Sequence, residues 1–301
     1  MKKLLKGFMA FAMMLSLVAC GGKTEEKTLL EVIKEQGYIT LSTSPDFAPS
    51  EFYILGEDGQ NKIVGTDIFL AEAIAKKIGV ELKISATTFT EVINEVQFGN
   101  ADLGISGFAW TETRAKSVKF SDDYAQMASD GWQGLMMRKE DAAKYKTLED
   151  VKAANLRIGA QTGSIQYEMA SHLTPAENII PMTDNNVCAN ELSIGAIDAY
   201  VITSTQAQAA MTSFDNITIL PETEFNLDPE NKYGVTGAVF AMNPKYDNES
   251  LIELVNEVIA EAKVVDPETG KCQLDIWTDE AEALLPFDLT EQIDWDTIYD
   301  K

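Results

Sequence analysis

The stretch Gly99-Asn-Ala-Asp-Leu-Gly-Ile-Ser-Gly-Phe-Ala-Trp-Thr-Glu-Thr-Arg-Ala-Lys-Ser-Val-Lys-Phe-Ser-Asp-Asp-Tyr124 decides how the rest of the chain is read. Leu103 and Ile105 begin a short strand, which ends near Ser106-Gly107 in a turn. Thr111 then stands where a hydroxyl caps a short helix carrying Arg114. Free N–H groups at such a place attract an anion, and a planar guanidinium can hold both oxygens of one carboxylate. On residue chemistry alone, Arg114 serves equally well in a surface salt bridge. Trp110 beside it serves equally in core packing or in stacking on a bound group.

Working outward, strand and helix signals alternate. Tyr38–Thr43 is β-prone and ends in Ser44-Pro45. Thr66–Ile78 is an amphipathic helix with Ala71, Ile74, Ala75 and Ile78 on one face and Gly79 placed to terminate it. Val80, Leu82 and Ile84 alternate as a half-buried strand, and 90–98 repeats the helical pattern. A second series follows Trp132. Leu148–Ala154 is a helix with Thr147 as N-cap, and 156–160 is a strand. Gln161-Thr162-Gly163-Ser164 then leads into a helix through Leu173. Ile179–Met182, 187–194, Ala199–Thr203, 204–211 and 218–220 continue strand, helix, strand, helix, strand. The best-formed late helix spans 251–263, with Leu251, Leu254, Val255, Val258, Ile259 and Ala262 on one stripe. Two such α/β series exceed one core, so the chain is expected to form two lobes with ligand loops at the carboxyl ends of strands.

The first residues address the compartment. Lys2, Lys3 and Lys6 precede an apolar run from Phe8 to Ala19. That run is shorter than the ~20 residues of a membrane-spanning helix and has the layout of a secretory signal. It ends at Leu17-Val18-Ala19-Cys20, which resembles the lipobox of bacterial lipoproteins. Residues 1–19 are therefore expected to be a signal peptide, Cys20 the lipidated first residue and 20–27 a tether. The implied location is the outer face of the cell membrane, held by the lipid anchor alone.

The whole chain has 301 residues and a net charge of −24. Without the first 19 residues, 21 basic residues face 48 acidic ones, a net of −27. Such a surface repels nucleic acid and anionic head groups and favours a soluble monomer. His172 is the only histidine and no CxxC occurs, so no metal and no other cofactor is expected. An exported location permits a disulfide between Cys188 and Cys272, and the sequence leaves open whether they meet.

The opening stretch resembles the family-3 solute-binding proteins of polar amino-acid ABC transporters, whose pattern runs G-x-x-D-hydrophobic-x-hydrophobic-x-G-x-x-x-T-x-x-R and then F-S-x-x-Y. Other segments match in order. Ser44-Pro-Asp-Phe-Ala-Pro49 looks like the first ligand loop, and Ile63-Val-Gly-Thr-Asp-Ile68 like the G-x-D-hydrophobic signature. Gln161-Thr-Gly-Ser164 looks like the second-lobe loop, Gly195-Ala-Ile-Asp-Ala199 like the G-x-x-D-A segment, and Tyr233-Gly-Val like the return crossing.

The resemblance implies an α/β, two-lobed periplasmic-binding-protein-like fold of type II, with two hinge strands and the ligand cleft between lobes. Lobe 1 would be 28–126 plus 232–301, and lobe 2 would be 127–231. Carried over by position, Arg114 grips a ligand carboxylate with backbone help near Gly107 and Ala109. Ser164 adds a helix N-terminus from the other lobe, and Phe47 and Phe89 are aromatic walls; ordinary core packing is the alternative for both phenylalanines. An ABC permease and its ATPase are the implied partners.

Three positions depart from the pattern. Ala109 lacks a hydroxyl frequent in the family, and Ser44 stands where some relatives have an aspartate. Thr203 falls where the family carries the acid that pairs a ligand ammonium. A hydroxyl cannot neutralise that charge, so Asp46 or Asp184 is expected to supply it, or the ligand is not a standard α-amino acid. Arg114 with Phe47, Phe89 and Trp110 points to a small carboxylate, apolar or aromatic in part. The competing expectations are a dehydratase-like enzyme in the same cleft and a ligand sensor without transport. Neither G-x-S-x-G nor HExxH is present, and the chain is read as a binder.

Overall fold

The computed structural model describes residues 27–124 and 131–286. Two five-stranded sheets form the centres of two α/β lobes. The first runs in the order Glu81–Ala86, Tyr38–Thr43, Leu103–Gly104, Val239–Ala241, Val118–Phe120. Its first three strands are parallel, and Val239–Ala241 is antiparallel to both neighbours. The second runs Ile179–Met182, Ile158–Gln161, Ala199–Thr203, Gln133–Arg138, Ile217–Ile219. Here too three parallel strands are extended by an antiparallel pair. The chain passes from the first sheet to the second once, after Val118–Phe120, and returns once, before Val239–Ala241.

Helices cover both faces of each sheet, so the central strands are buried on both sides. Ala199–Thr203 is buried along its whole length. One face of the first sheet meets the Thr66–Ile78 and Glu249–Ala262 helices through Leu70, Ile74, Leu251 and Val255. The Phe89–Phe98 helix lies on the other face, where Val92 and Phe108 pack on Val239. Gly104 permits that approach: a Cβ there would lie 2.8 Å from Val92 and 2.9 Å from Val239. Large apolar side chains buried this way contribute about 1.5–3 kcal/mol each relative to exposure.

The helix boundaries follow local chemistry. Thr66–Ile78 stops at Gly79 in the left-handed conformation, φ 86°. Thr147 caps Leu148–Ala154 in a reciprocal box with Asp150. The late helix is Glu249–Ala262, starting two residues earlier than its apolar stripe.

A third sheet, Asp46–Phe47, Glu51–Leu55 and Asn61–Val64, is an antiparallel meander that the strand and helix signals did not include. Its polarity is inverted: Glu51 is buried at 1% exposure while Leu55 is 73% exposed. Alternation of hydrophobicity therefore does not mark it. Cys188 and Cys272 are both buried free thiols in separate cores, one under each sheet, so the permitted disulfide is absent. Residues 1–26, including Cys20, the hinge boundary at 126–127 and the acidic tail 288–300 lie outside the described residues.

Candidate functional site

The carboxyl ends of the parallel strands of both sheets converge on one cleft. Thr43 leads into Ser44–Pro49, Gly104 into Ser106-Gly107, and Gln161 into Thr162–Ser164. The cleft is lined by Asp46, Phe47, Glu51, Phe89, Ser106, Gly107, Ala109 and Arg114 from one side. Gln133, Gln161, Ser164, Ile165 and Gln166 line it from the other, with Tyr233 and Thr236 from the return crossing.

Arg114 is half-buried at the centre. The Thr111 hydroxyl accepts the Arg114 N–H at 3.1 Å and fixes the short Glu112–Ala115 helix. Nη1 donates to the Ala109 carbonyl at 2.7 Å, and Nη2 reaches across to the Gly163 carbonyl at 2.9 Å. The guanidinium carbon lies 5.4 Å from the Phe89 ring centroid and 5.5 Å from that of Phe108, two rings stacked 4.6 Å apart. Phe89 thus supports the cation as well as lining the cleft. Burial pulls the Arg114 pKa down to about 10, opposed by Glu168 and Tyr233. It stays charged at neutral pH, held by neutral carbonyls and ring faces, which suits an incoming anion.

The turn before Arg114 is held by the buried carboxylate of Asp67, which accepts the Gly107 N–H at 2.9 Å and the Tyr124 hydroxyl at 3.1 Å. Asp67 itself is placed by Gly65, φ 131°, where a Cβ would lie 2.2 Å from the Ser50 carbonyl oxygen. The G-x-D signature and the F-S-x-x-Y segment therefore meet beneath the ligand loop. One consequence is that the Gly107 amide is committed to Asp67. Ala109 contributes its carbonyl to Arg114, and the strand bridge to Thr236 commits the Trp110 and Gly237 amides.

The remaining expected residues divide. Phe47 and Ser164 line the cleft. The Ser164 hydroxyl is occupied within its own lobe, donating to the Gln161 carbonyl at 2.7 Å and accepting the Tyr167 N–H at 3.1 Å. Trp110 stands outside the lining set, 47% exposed. Thr203 is also outside it and buried; its hydroxyl accepts the Gln206 N–H and caps Ser204–Ser213. Asp184 caps Asn185–Ser193, accepting the Val187 N–H at 2.9 Å. Asp46 lines the cleft, but Gln161 and Asn185 reach its carboxylate from the other lobe, each at 2.8 Å.

Glu51, Gln133, Ile165, Gln166 and Thr236 complete the lining and were not singled out by the motifs. Glu51 accepts the Ser106 hydroxyl at 2.6 Å, and Ser106 in turn accepts the Ser44 N–H at 3.0 Å. Its signal was an acid opening an otherwise apolar strand two residues after Pro49. The Gln166 amide donates to Gln133 at 2.9 Å, a pairing that only the sheet order brings about. Among the described residues no cluster of His, Cys, Asp and Glu is arranged to hold a metal ion.

Residues 39–266 match the profile of the bacterial extracellular solute-binding proteins, family 3. The chain belongs to that family. The arginine-binding extracellular protein ArtP of Bacillus subtilis is 30% identical over 219 residues, 72% of this chain and 79% of its own length. Among solved structures, the amino acid ABC transporter substrate-binding protein AbpA of Streptococcus pneumoniae, bound to L-arginine, superposes with a TM-score of 0.71. The two are 31% identical over 87% of this chain and 100% of that one. A more distant relative, the cyclohexadienyl dehydratase of Pseudomonas aeruginosa, is 22% identical over 194 residues, 64% of this chain and 69% of its own length. The fold of this family-3 protein is the two-lobed type II architecture of its structural neighbours.

Proposed function

We propose that this family-3 protein captures an amino acid in the cleft and delivers it to an ABC importer. The observation that carries the reading is Arg114: a half-buried, charged guanidinium at the cleft centre, bonded to carbonyls from both lobes. A ligand carboxylate placed there gains charge-assisted bonds in a site largely shielded from water. Residues 28–126 and 232–301 act as one lobe and 127–231 as the other, closing about the two crossings. The ligand bridges the lobes and stabilises the closed population by its differential affinity. Cys20 anchors the protein by lipid, and the protein works as a monomer at the outer face of the cell membrane.

Phe47 and Phe89 support a ligand with an apolar or aromatic portion. Glu51 favours a second reading of the side chain. Glu51 is an acid in the cleft lining, and it suits a basic or donor-bearing ligand such as the L-arginine found in AbpA. A thermal-shift screen of residues 21–301 against the twenty amino acids and related carboxylates tests the proposal. One ligand class should raise the melting temperature, because binding to the native state alone stabilises it by mass action. Stabilisation by arginine and lysine alone decides for the second reading. Silence from every amino acid, or turnover of a carboxylate substrate, refutes the transport reading.

A further inference from the structure

Asp46 faces the cleft with a carboxylate that the protein already occupies. Its Oδ1 accepts the Ser44 hydroxyl at 3.0 Å within the same loop. Its Oδ2 accepts two donors from the opposite lobe, the Gln161 side-chain amide and the Asn185 backbone N–H, each at 2.8 Å. A carboxylate offers about four acceptor positions, so three are filled before a ligand arrives. Two residues on, the Ala48 carbonyl accepts the side-chain amide of Gln206. The Asp46–Phe47 strand is thus clasped by three second-lobe elements: the end of Ile158–Gln161, the start of Asn185–Ser193 and the first turn of Ser204–Ser213.

We infer that Asp46 is an interlobe latch and not a ligand-binding group: it sets how much of the protein is closed before a ligand enters. The inference rests on the hinge closure proposed above, but not on which ligand is bound. The titratable groups around Asp46 are Asp184 at the head of the neighbouring helix, Cys188 and Tyr200 beneath it, and Glu51 along the cleft wall. None of these is a cation, so hydrogen bonds carry the latch. Its functional weight follows from population arithmetic. Apparent affinity falls in proportion to the fraction of molecules in the binding-competent state, so a tenfold loss of closed protein raises Kd tenfold.

Small-angle scattering on the ligand-free protein tests this without needing the ligand. Asp46→Ala should enlarge the radius of gyration, and Gln161→Ala should do so to a smaller degree. The double variant should match Asp46→Ala, since the Gln161 bond is already gone. Asp46→Asn keeps an acceptor oxygen for Gln161 and Asn185 and should not enlarge the radius of gyration. A folded Asp46→Ala with unchanged scattering overturns the latch. Should that variant fail to fold, unchanged scattering from Gln161→Ala overturns it instead. Failure of the amino-acid reading would show separately, as a parent protein that binds nothing in the screen.

Discussion

Arg114 and Asp46 divide the two electrostatic tasks of the cleft. Arg114 offers donors in a fixed fork that matches the two oxygens of a carboxylate, a geometry that the point charge of lysine does not reproduce. Arg114→Ala should therefore weaken binding by about 2–5 kcal/mol, read as a Kd increase by calorimetry, and Arg114→Lys should recover only part of it. Asp46 behaves oppositely on proton binding. Burial, reinforced by Asp184, pushes its pKa from the ordinary 3.8 up to about 6, against the bonds from Asn185 and Ser44. In an open protein the carboxylate is hydrated and titrates near its ordinary value. The closed form thus binds the proton more tightly. Its extra stability is fully present below pH 3.8 and is lost as pH rises through about 6. Scattering of the ligand-free protein should show closure increasing as pH falls from 7 towards 5. Asp46→Asn should flatten that dependence. The capping threonine and short helix around Arg114 were legible because the motif is local, whereas its place on the cleft came from the family resemblance, since residue chemistry alone left a surface salt bridge equally open. Thr203 was legible as a position but not as a role, since capping Ser204–Ser213 takes up its hydroxyl. Gln133 and Gln166 were illegible because 33 residues separate two side chains that only the folded sheet brings together.

At the scale of elements, backbone conformation and capping account for much of what holds the loops in place. Gly65 is the strictest case. Its φ of 131° is open to glycine, and any Cβ would collide with the Ser50 carbonyl. Gly65→Ala should lower the melting temperature and also weaken ligand binding, because Asp67 and the Gly107 turn depend on that bend. Thr147→Ala removes one hydroxyl cap far from the cleft. It should cost about 1 kcal/mol in a denaturant melt and leave ligand affinity unchanged. The contrast separates stability from site geometry. It also explains which elements could be read in advance. The Thr66–Ile78 helix announces itself because Ala71, Ile74 and Ala75 face one core. The Glu51–Leu55 strand does not, because it buries an acid that serves the loop network and exposes Tyr53 and Leu55.

For the whole molecule, the arrangement is two cores meeting at a surface of hydrogen bonds, several of which involve an ionised group, Arg114, Asp46 or Glu168. Besides the Asp46 cluster, Thr90 donates to the Thr162 carbonyl at 2.9 Å, and Tyr233 donates to Glu168 at 2.8 Å. Such bonds have a net worth of about 0.5–1.5 kcal/mol between neutral groups and about 1.5–3 kcal/mol to a charged one, so a handful can balance an open and a closed form closely enough for a small ligand to decide between them. The two cores also keep their sulfur atoms to themselves. Cys188 and Cys272 are each buried, and burial pushes the Cys188 thiol far up. Neither should react with a thiol reagent in the native protein, and both should do so in denaturant. A chain beginning at Gly21 is therefore a silent background for chemistry at a chosen surface position. One cysteine placed at the exposed Trp110 site, labelled with an environment-sensitive dye, would turn lobe closure into an optical signal and the protein into a reporter of its own ligand.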